Sequence, residues 1–375
     1  MADNTAEQII DARDPYDSDP QIREYTKEHV LGPLDMLRRT TGDLDTVQKM
    51  LNERPGVVVG GMKARAIIDG RLESTADQEA ERQRWLKGMR EIVSVLQEKQ
   101  LKVKLNKEQE LSVRAINILV GRPALLIRKG KFDPPPPTWE DLLNQYRSLI
   151  EPTFRSVGKI ELSGRIAYPY AGTGFLVANG VLMTNRHVVK LFCDPEGTGW
   201  TIRPGVSAVV DFVEELGNTA SNEFSVEGVI GVHDKLDLAL LRVAAKSRQR
   251  KSLPKPLPVA KDGSGVTVGR DVYAVGYPAR SNDADLKAMN RLFGDAFEIK
   301  RIAPGQVMGL LEGDPILLHD CTTLGGNSGS CVLDMVTQRV VGLHFGGVEG
   351  SANVAVALWK LSDDPLLKAA KVNFV

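Results

Sequence analysis

Three residue types that together can perform nucleophilic chemistry occur in the C-terminal half of the chain: a serine, a histidine and an aspartate. Ser328 lies in GGNSGS, a stretch of typical turn residues. A serine hydroxyl is a poor nucleophile without a base, so this stretch alone is also compatible with a simple turn. Ser328 becomes a candidate nucleophile only if a base and an acid accompany it.

His187 and Asp237 are the candidates for the base and the acid. His187 follows an apolar run in VLMTNRHVV, and Asp237 precedes a second apolar run in LDLALLRV. A carboxylate at the start of a buried strand needs a partner, because an unpaired charge in a dry site is costly. The imidazole N–H of His187 is a suitable partner. Asp234 lies close to Asp237 and is the alternative acid.

The segment around these residues has the pattern of an all-β domain. After Ser156, short runs rich in Val, Ile, Leu and Phe are separated by Gly, Pro, Asn and Asp. Asn179-Gly180 lies between two apolar runs and predicts a hairpin turn. Many short strands with few helical patterns favour a barrel or a sandwich.

The order His187, Asp237, Ser328 on such a segment resembles the chymotrypsin-fold serine proteases. The motifs GTGFLV…VLMTNRHVV, LDLALLRV and GGNSGS are similar to the neighbourhoods of base, acid and nucleophile in bacterial trypsin-like enzymes, which include the Deg-type proteases and glutamyl endopeptidases. The resemblance implies a mostly β, two-barrel chymotrypsin-like domain over residues 157–375. With the helical region before it, the chain is expected to be an α+β multidomain protein.

The same resemblance implies a role for each residue of the triad in a serine endopeptidase. Ser328 would attack the scissile carbonyl, His187 would transfer its proton, and Asp237 would orient the imidazole. The backbone N–H groups of Gly326 and Ser328 would form the oxyanion hole. Asn327 departs from the digestive enzymes of the family, which have Asp before the nucleophile, so their amine-to-aspartate activation switch is not expected.

A substrate pocket is also implied by the resemblance. Thr323, five residues before the nucleophile, and His344, on the strand that follows it, resemble the pocket residues of glutamyl endopeptidases. They predict a preference for an acidic (Glu or Asp) or a Gln side chain at P1, with Gly346 and Gly347 on the same strand in contact with the substrate. A buried structural histidine is the alternative interpretation of His344.

An α/β-hydrolase is the competing serine chemistry. Its nucleophile elbow is G-x-S-x-G, and its acid and histidine follow the serine along the chain. Asp334 and His344 do follow Ser328 in that order, but they lie too near for that fold. This alternative is therefore set aside.

Helical patterns dominate the N-terminal part. Residues 1–20 are acidic and polar and are expected to be a disordered tail, and residues 21–130 are expected to form a helical interaction or regulatory domain. One face of the helix predicted in Thr75–Val103 carries an apolar set: Trp85, Met89, Ile92, Val93 and Leu96. Residues 131–156 are expected to be a linker, in which Pro134 to Pro137 favour a stiff polyproline II spacer before a short helix from Thr138 to about Leu149.

Composition limits the classes of partner. Lys+Arg and Asp+Glu both number 48 in 375 residues, so no overall field favours nucleic acid or an anionic membrane. No apolar run is long enough for a transmembrane helix, and the N-terminus lacks a secretory signal pattern. Cys193, Cys321 and Cys331 are too few for a disulfide framework and favour a reducing compartment.

These observations predict a cytoplasmic serine endopeptidase that needs no metal or cofactor. Its partners are expected to be a protein or peptide substrate and a protein that binds the helical region. By analogy with similar domain combinations, this role could lie in a prokaryotic signalling or defence system. The alternative is a catalytically silent, protease-like adaptor whose helical region binds a partner.

Overall fold

The structure is a computed structural model, and it describes a defined part of the chain. The described residues are 37, 44–53, 76–99, 104–164, 169–218, 220–279, 297–323, 326–347 and 352–375. The predicted tail over residues 1–20 and much of the predicted helical domain lie outside these residues.

Helices form the described part of the N-terminal region. They are α1 (Leu44–Glu53), α2 (Ala76–Glu98) and α3 (Lys107–Ile116), which continues into a π-helical turn over Asn117–Gly121. The predicted apolar face of α2 is confirmed, because Met89, Ile92, Val93 and Leu96 are at most 2% exposed and pack with residues of α1 and α3. The side chain of Trp85 lies outside the described residues.

The segment predicted to be a linker is packed against the rest of the protein. It contains β2 (Lys131–Phe132), which forms a hairpin with the preceding strand β1 (Leu125–Arg128), the helix α4 (Pro137–Ile150) and a 3₁₀ turn over Glu151–Ser156. Trp139, Leu143 and Phe154 are buried in one hydrophobic core with residues of both barrels. The prolines break regular structure only between the hairpin and α4, and Pro137 fits the first turn of a helix. The segment is therefore an integral layer and not the free spacer that the prolines suggested.

A closed barrel follows this layer. Its strands are β3 (Val157–Gly164), β4 (Tyr170–Ala178), β5 (Val181–Thr184), β8 (Val206–Asp211), β9 (Glu223–Val232) and β10 (Ala239–Val243), in the order β10-β5-β4-β3-β8-β9. The short helix α5 (Arg186–Lys190) and the hairpin β6 (Cys193–Glu196) and β7 (Gly199–Ile202) come between β5 and β8. The predicted hairpin turn is confirmed: β4 and β5 pair across it, and Gly180 has a φ of +74°.

The second barrel is built from the remaining strands. They are β11 (Asp271–Gly276), β12 (Arg301–Leu310), β13 (Ile316–His319), β14 (Cys331–Asp334), β15 (Val340–Gly347) and β16 (Asn353–Ala357), followed by a 3₁₀ turn (Leu358–Leu361) and α6 (Pro365–Ala369). Their order is β11-β14-β15-β16-β13-β12, and β11 also pairs with β12. β1 adds to the outer edge of β12. The predicted two-barrel architecture with helices before it is thus confirmed.

The three cysteines are free and buried. Burial raises the pKa of the Cys193 thiol to about 12 and raises the pKa of Cys331 as well. A thiol with a raised pKa carries little thiolate and is a weak nucleophile. Cys331, three residues after Ser328, is therefore a packing residue. Among the helices that the structure describes, none has the length and apolarity needed to cross a membrane.

Candidate active site

The predicted base and acid form a short, buried pair. Nδ1 of His187 lies 2.6 Å from Oδ2 of Asp237, and the backbone N–H of His187 donates to Oδ1 of the same carboxylate at 2.9 Å. The Asp237 side chain is fully buried, whereas the side chain of His187 is 24% exposed. The carboxylate therefore binds the ring on its inner side, and the imidazole extends toward the surface.

Local structure around β5 and β10 explains this geometry. His187 lies in the first turn of α5. Asn185, two residues before it, donates from Nδ2 to the backbone carbonyl of Asp237 at 2.8 Å. This bond fixes the chain around Asp237 before it enters β10. Asp234, the alternative acid, is exposed. The structure thus brings Asp237, and not Asp234, to the histidine.

The loop that carries Ser328, residues 326–330, is called the nucleophile loop, and it contacts the first barrel beside this pair. The backbone carbonyl of Ser328 accepts a hydrogen bond from the N–H of Thr173 on β4 at 2.9 Å. A Cβ on Gly172 would lie 3.0 Å from that same carbonyl and 3.0 Å from Cγ2 of Val188. Ser328 and Val188, the residue after His187, therefore both lie close to Gly172. Ser328 is partly exposed, and its hydroxyl makes no hydrogen bond with the residues that the structure describes.

Glycines of the nucleophile loop are required by close backbone contacts. Gly326 has a φ of +85°, and a Cβ there would lie 2.6 Å from the backbone nitrogen of Ala279. Its carbonyl accepts hydrogen bonds from the hydroxyls of Tyr170 at 2.6 Å and Thr173 at 3.1 Å. No acceptor among the described residues binds the N–H of Gly326 or Ser328. The oxyanion hole formed by these two amides stays a prediction.

Thr323 and Asn353 are joined by a hydrogen bond next to the nucleophile loop. The Thr323 hydroxyl donates to Oδ1 of Asn353 at 2.6 Å, and Nδ2 of Asn353 donates to the carbonyl of Cys321 at 2.6 Å. A Cβ on Gly347 would collide with the Asn353 side chain. Gly347, predicted to contact substrate, therefore also makes room for Asn353. Gly346 is partly exposed on β15.

His344 is buried beside a second histidine. Its Nδ1 lies 3.2 Å from Nε2 of His319, and the two rings meet edge to face. Burial is the main cause that lowers the pKa of His319 to about 3, and burial, with the nearby His319 and His187, lowers the pKa of His344 well below its ordinary value. The His344 backbone pairs with Gly329 and Ser330, which links this histidine to the nucleophile loop.

His319 and Asn353 were not identified from the sequence. His319 contacts His344, and Asn353 contacts Thr323, so each contact joins residues that are far apart along the chain. These contacts form because β13 and β15 both pair with β16. A signal did exist for His319, because it ends the apolar run ILLH four residues before Thr323. Asn353 gave no comparable signal.

A buried ion pair connects the N-terminal segment to the same part of the second barrel. Arg122 follows the π-helical turn, and its guanidinium donates to Oδ2 of Asp320 at 2.8 Å. The side chains are 4% and 0% exposed. The hydroxyl of Thr322 donates to the carbonyl of Arg122 at 2.5 Å. The chain just before Thr323 is therefore held from the N-terminal side.

The chain is similar in sequence to known peptidases. The family described as trypsin-like peptidase domain matches residues 172–343. A probable serine protease from Lysobacter enzymogenes is 29% identical over 289 residues, which cover 68% of this chain and 74% of that protein. A glutamyl endopeptidase from Staphylococcus epidermidis is 26% identical over 188 residues, which cover 50% of this chain and 57% of the relative.

Solved structures of proteases are also similar to the chain. An HtrA-type protease, AlgW with a decapeptide, aligns with a TM-score of 0.42 and 15% identity over 61% of this chain and 69% of that structure. The sequence matches, together with the two barrels, show that the chain contains a trypsin-like peptidase domain and that the protein is a serine endopeptidase.

Proposed function

We propose that this endopeptidase acts through His187, Asp237 and Ser328. The observation that carries the proposal is the double hydrogen bond from His187 to the buried Asp237 carboxylate. A carboxylate at Nδ1 keeps the ring hydrogen there, which leaves the lone pair on Nε2 to accept the serine proton. The same carboxylate stabilises the imidazolium that then forms.

The reaction proceeds by acyl transfer. Ser328 attacks the scissile carbonyl, and its proton passes to His187, which returns it to the leaving amine. The proposal requires the Ser328 hydroxyl to reach Nε2 of His187 when the substrate is bound, since catalytic hydrogen bonds commonly form fully only in the complex. The N–H groups of Gly326 and Ser328 stabilise the oxyanion of each tetrahedral intermediate. Water then hydrolyses the acyl-enzyme.

The proposed P1 specificity is for an acidic side chain or for Gln. Thr323 and His344 supply the polar contacts at the base of the pocket, and Gly346 and Gly347 lie along its wall. The support is their placement beside the nucleophile loop, together with the similarity to a glutamyl endopeptidase over half of the chain. A pocket for Lys or Arg is not proposed, because Thr323 stands where such pockets need an acid.

The proposed role of the N-terminal region is to recruit or regulate the peptidase through a protein partner. The support is the Arg122–Asp320 ion pair, together with the hydrogen bond from Thr322 to the Arg122 carbonyl. A movement of the helical region would displace Thr322, and with it the pocket, through these two contacts. A role in prokaryotic signalling or defence, in the cytoplasm, is proposed by analogy and from the three free cysteines.

A fluorophosphonate probe tests the proposed function on the full chain. Wild type should be labelled on Ser328, and Ser328→Ala should not be labelled. Ser330→Ala is the matched control, because that serine is two residues away and buried; it should keep the label. Absence of labelling in wild type would instead favour the silent adaptor.

A further inference from the structure

Four polar side chains of the second barrel come together beside the nucleophile loop. His319 lies directly opposite Asn353 in the β13–β16 pair, and His344 lies opposite Ala355 in the β15–β16 pair. Opposite residues share a face of a sheet, and so do residues two apart on one strand. His319, His344 and Asn353 therefore occupy one face, and Thr323 joins them through its bond to Asn353.

Asn353 fixes the direction of the Thr323 hydrogen bond. A backbone carbonyl can only accept, so the group that binds the Cys321 carbonyl at 2.6 Å must be the Asn353 amide nitrogen. The amide oxygen then faces Thr323, and the threonine hydroxyl must donate to it. A hydroxyl has one hydrogen. Toward a substrate, Thr323 consequently presents only oxygen lone pairs and acts as an acceptor.

His319 fixes the tautomer of His344. Nδ1 of His319 is buried and has no hydrogen-bond partner among the described residues. A hydrogen on that atom would be a buried donor without an acceptor, which is a rare and costly arrangement. The ring hydrogen of His319 therefore lies on Nε2 and is donated to Nδ1 of His344. His344 then carries its own hydrogen on Nε2, the nitrogen that no described residue binds.

We propose that the pocket selects glutamine over glutamate at P1, because it offers one donor from His344 and one acceptor from Thr323. A glutamine amide matches both: its carbonyl accepts from Nε2–H of His344, and its NH₂ donates to Oγ1 of Thr323. A glutamate carboxylate only accepts, so one of its oxygens faces the lone pairs of Thr323. This inference rests on the proposed function for the position of the pocket, and it makes Asn353 and His319 positioning residues.

The electrostatics of the pocket agree with this assignment. Burial lowers the pKa of both His319 and His344, so neither ring is a cation near neutral pH. A charge-assisted bond to a carboxylate is therefore missing. The pocket then discriminates by hydrogen-bond direction, and a wrong pairing leaves a buried polar group without its partner.

The test uses peptides that differ only at P1, with Gln, Glu, Leu and Arg, and the full-length protein. We expect kcat/KM for Gln to exceed that for Glu by at least about tenfold near neutral pH, the size expected for one mispaired buried hydrogen bond. Asn353→Ala releases the Thr323 hydroxyl to donate, so the Gln to Glu ratio should fall by about tenfold.

Two further variants separate hydrogen-bond direction from general damage. Thr323→Val removes the acceptor, and the ratio should fall through a loss with Gln. Thr138→Val is the matched control, because its hydroxyl also donates to a backbone carbonyl, that of Val120 in the π-helical turn; its ratio should equal that of wild type. The fluorophosphonate labelling rate of each variant reports whether the nucleophile is intact.

The outcomes distinguish this inference from the proposed function. If wild type is labelled on Ser328 but cleaves after Glu as well as or better than after Gln, the inference is overturned and the peptidase stands. Cleavage after Leu or Arg alone overturns the whole P1 proposal. If wild type is neither labelled nor active, the proposed function fails and this inference fails with it.

Discussion

His187 and His344 are the same residue type in the two barrels, and their partners give them opposite chemistry. His187 binds a carboxylate, Asp237, and its side chain is 24% exposed. His344 binds another imidazole, His319, and is only 4% exposed. The first partner stabilises a positive ring, whereas the second adds no negative charge in a site where burial already disfavours the cation.

This difference shows that burial and the partner, and not the residue type alone, decide whether a histidine acts as a base or as a neutral hydrogen-bond group. In the proposed mechanism, His187 beside Asp237 accepts a proton during each turnover. In the proposed pocket, His344 beside His319 presents one defined hydrogen to the P1 side chain. Arg122 follows the same rule as His187, because its buried charge is matched by Asp320.

Removing the carboxylate from the first pair should give the largest effect. We expect Asp237→Asn to lower kcat/KM by about 10⁴-fold, because an amide at that position favours the wrong tautomer of His187. Steady-state cleavage of the best P1 peptide measures this. Asp234→Asn is the control, since Asp234 is exposed; an equal loss in both variants would contradict the assignment of the acid.

Breaking the buried Arg122–Asp320 pair should cost stability. We expect Arg122→Met to lower the free energy of unfolding by about 3 to 5 kcal/mol, because Asp320 would remain buried without its counter-charge. Denaturant unfolding measures this. Adding Asp320→Leu should restore part of the loss in a double-mutant cycle. Additive losses would show that the two charges are not coupled.

Removing the donor from the second pair should lower the cleavage of both P1 peptides and leave the nucleophile intact. We expect His344→Leu to lower kcat/KM for the Gln peptide by about 10²-fold, because the P1 carbonyl loses its donor. The Glu peptide loses the same donor, so the Gln to Glu ratio, which Thr323 sets, should change little, and labelling of Ser328 should persist. An unchanged kcat/KM for both peptides would place His344 outside the pocket, as the buried structural histidine that the sequence also allowed.

The neutral histidines should also make the protein sensitive to mild acid. The folded-state pKa of His319 is about 3, below its ordinary value of 6.5, so the unfolded chain binds the proton first. The stability from the neutral ring is complete above about pH 6.5 and is lost as the pH falls toward 3. A proton that binds the unfolded chain but not the folded protein lowers the free energy of unfolding by about 1.4 kcal/mol for each unit by which the pH falls in this range.

His319→Gln tests this pH dependence. Glutamine does not titrate, and its amide can still donate to Nδ1 of His344. We therefore expect a shallower fall in the free energy of unfolding between pH 6.5 and 5, with the Gln to Glu ratio retained. If the free energy of unfolding falls with pH as steeply as in wild type, His319 is not the group whose protonation folding prevents.

Local sequence signals predicted much of the fold and the pair in the first barrel. The Asn179-Gly180 turn, the alternation of strands and the apolar face of α2 each depend on neighbouring residues. Asp237 was identified because a carboxylate before a buried run needs a partner. The packing of α4 onto the barrels and the roles of His319 and Asn353 were not predicted, because they depend on strand register and on contacts between distant segments.

The tautomer and charge of His344 decide whether the pocket can offer a single neutral donor to a P1 amide. Nitrogen NMR of histidine-labelled protein distinguishes a neutral ring with its hydrogen on Nε2 from the other tautomer and from imidazolium, and His344→Leu identifies the signal. We expect His344 to stay neutral with the hydrogen on Nε2 from pH 7.5 to about pH 6, close to the ordinary histidine pKa. A ring that is protonated near neutral pH, or that carries its hydrogen on Nδ1, would contradict this expectation.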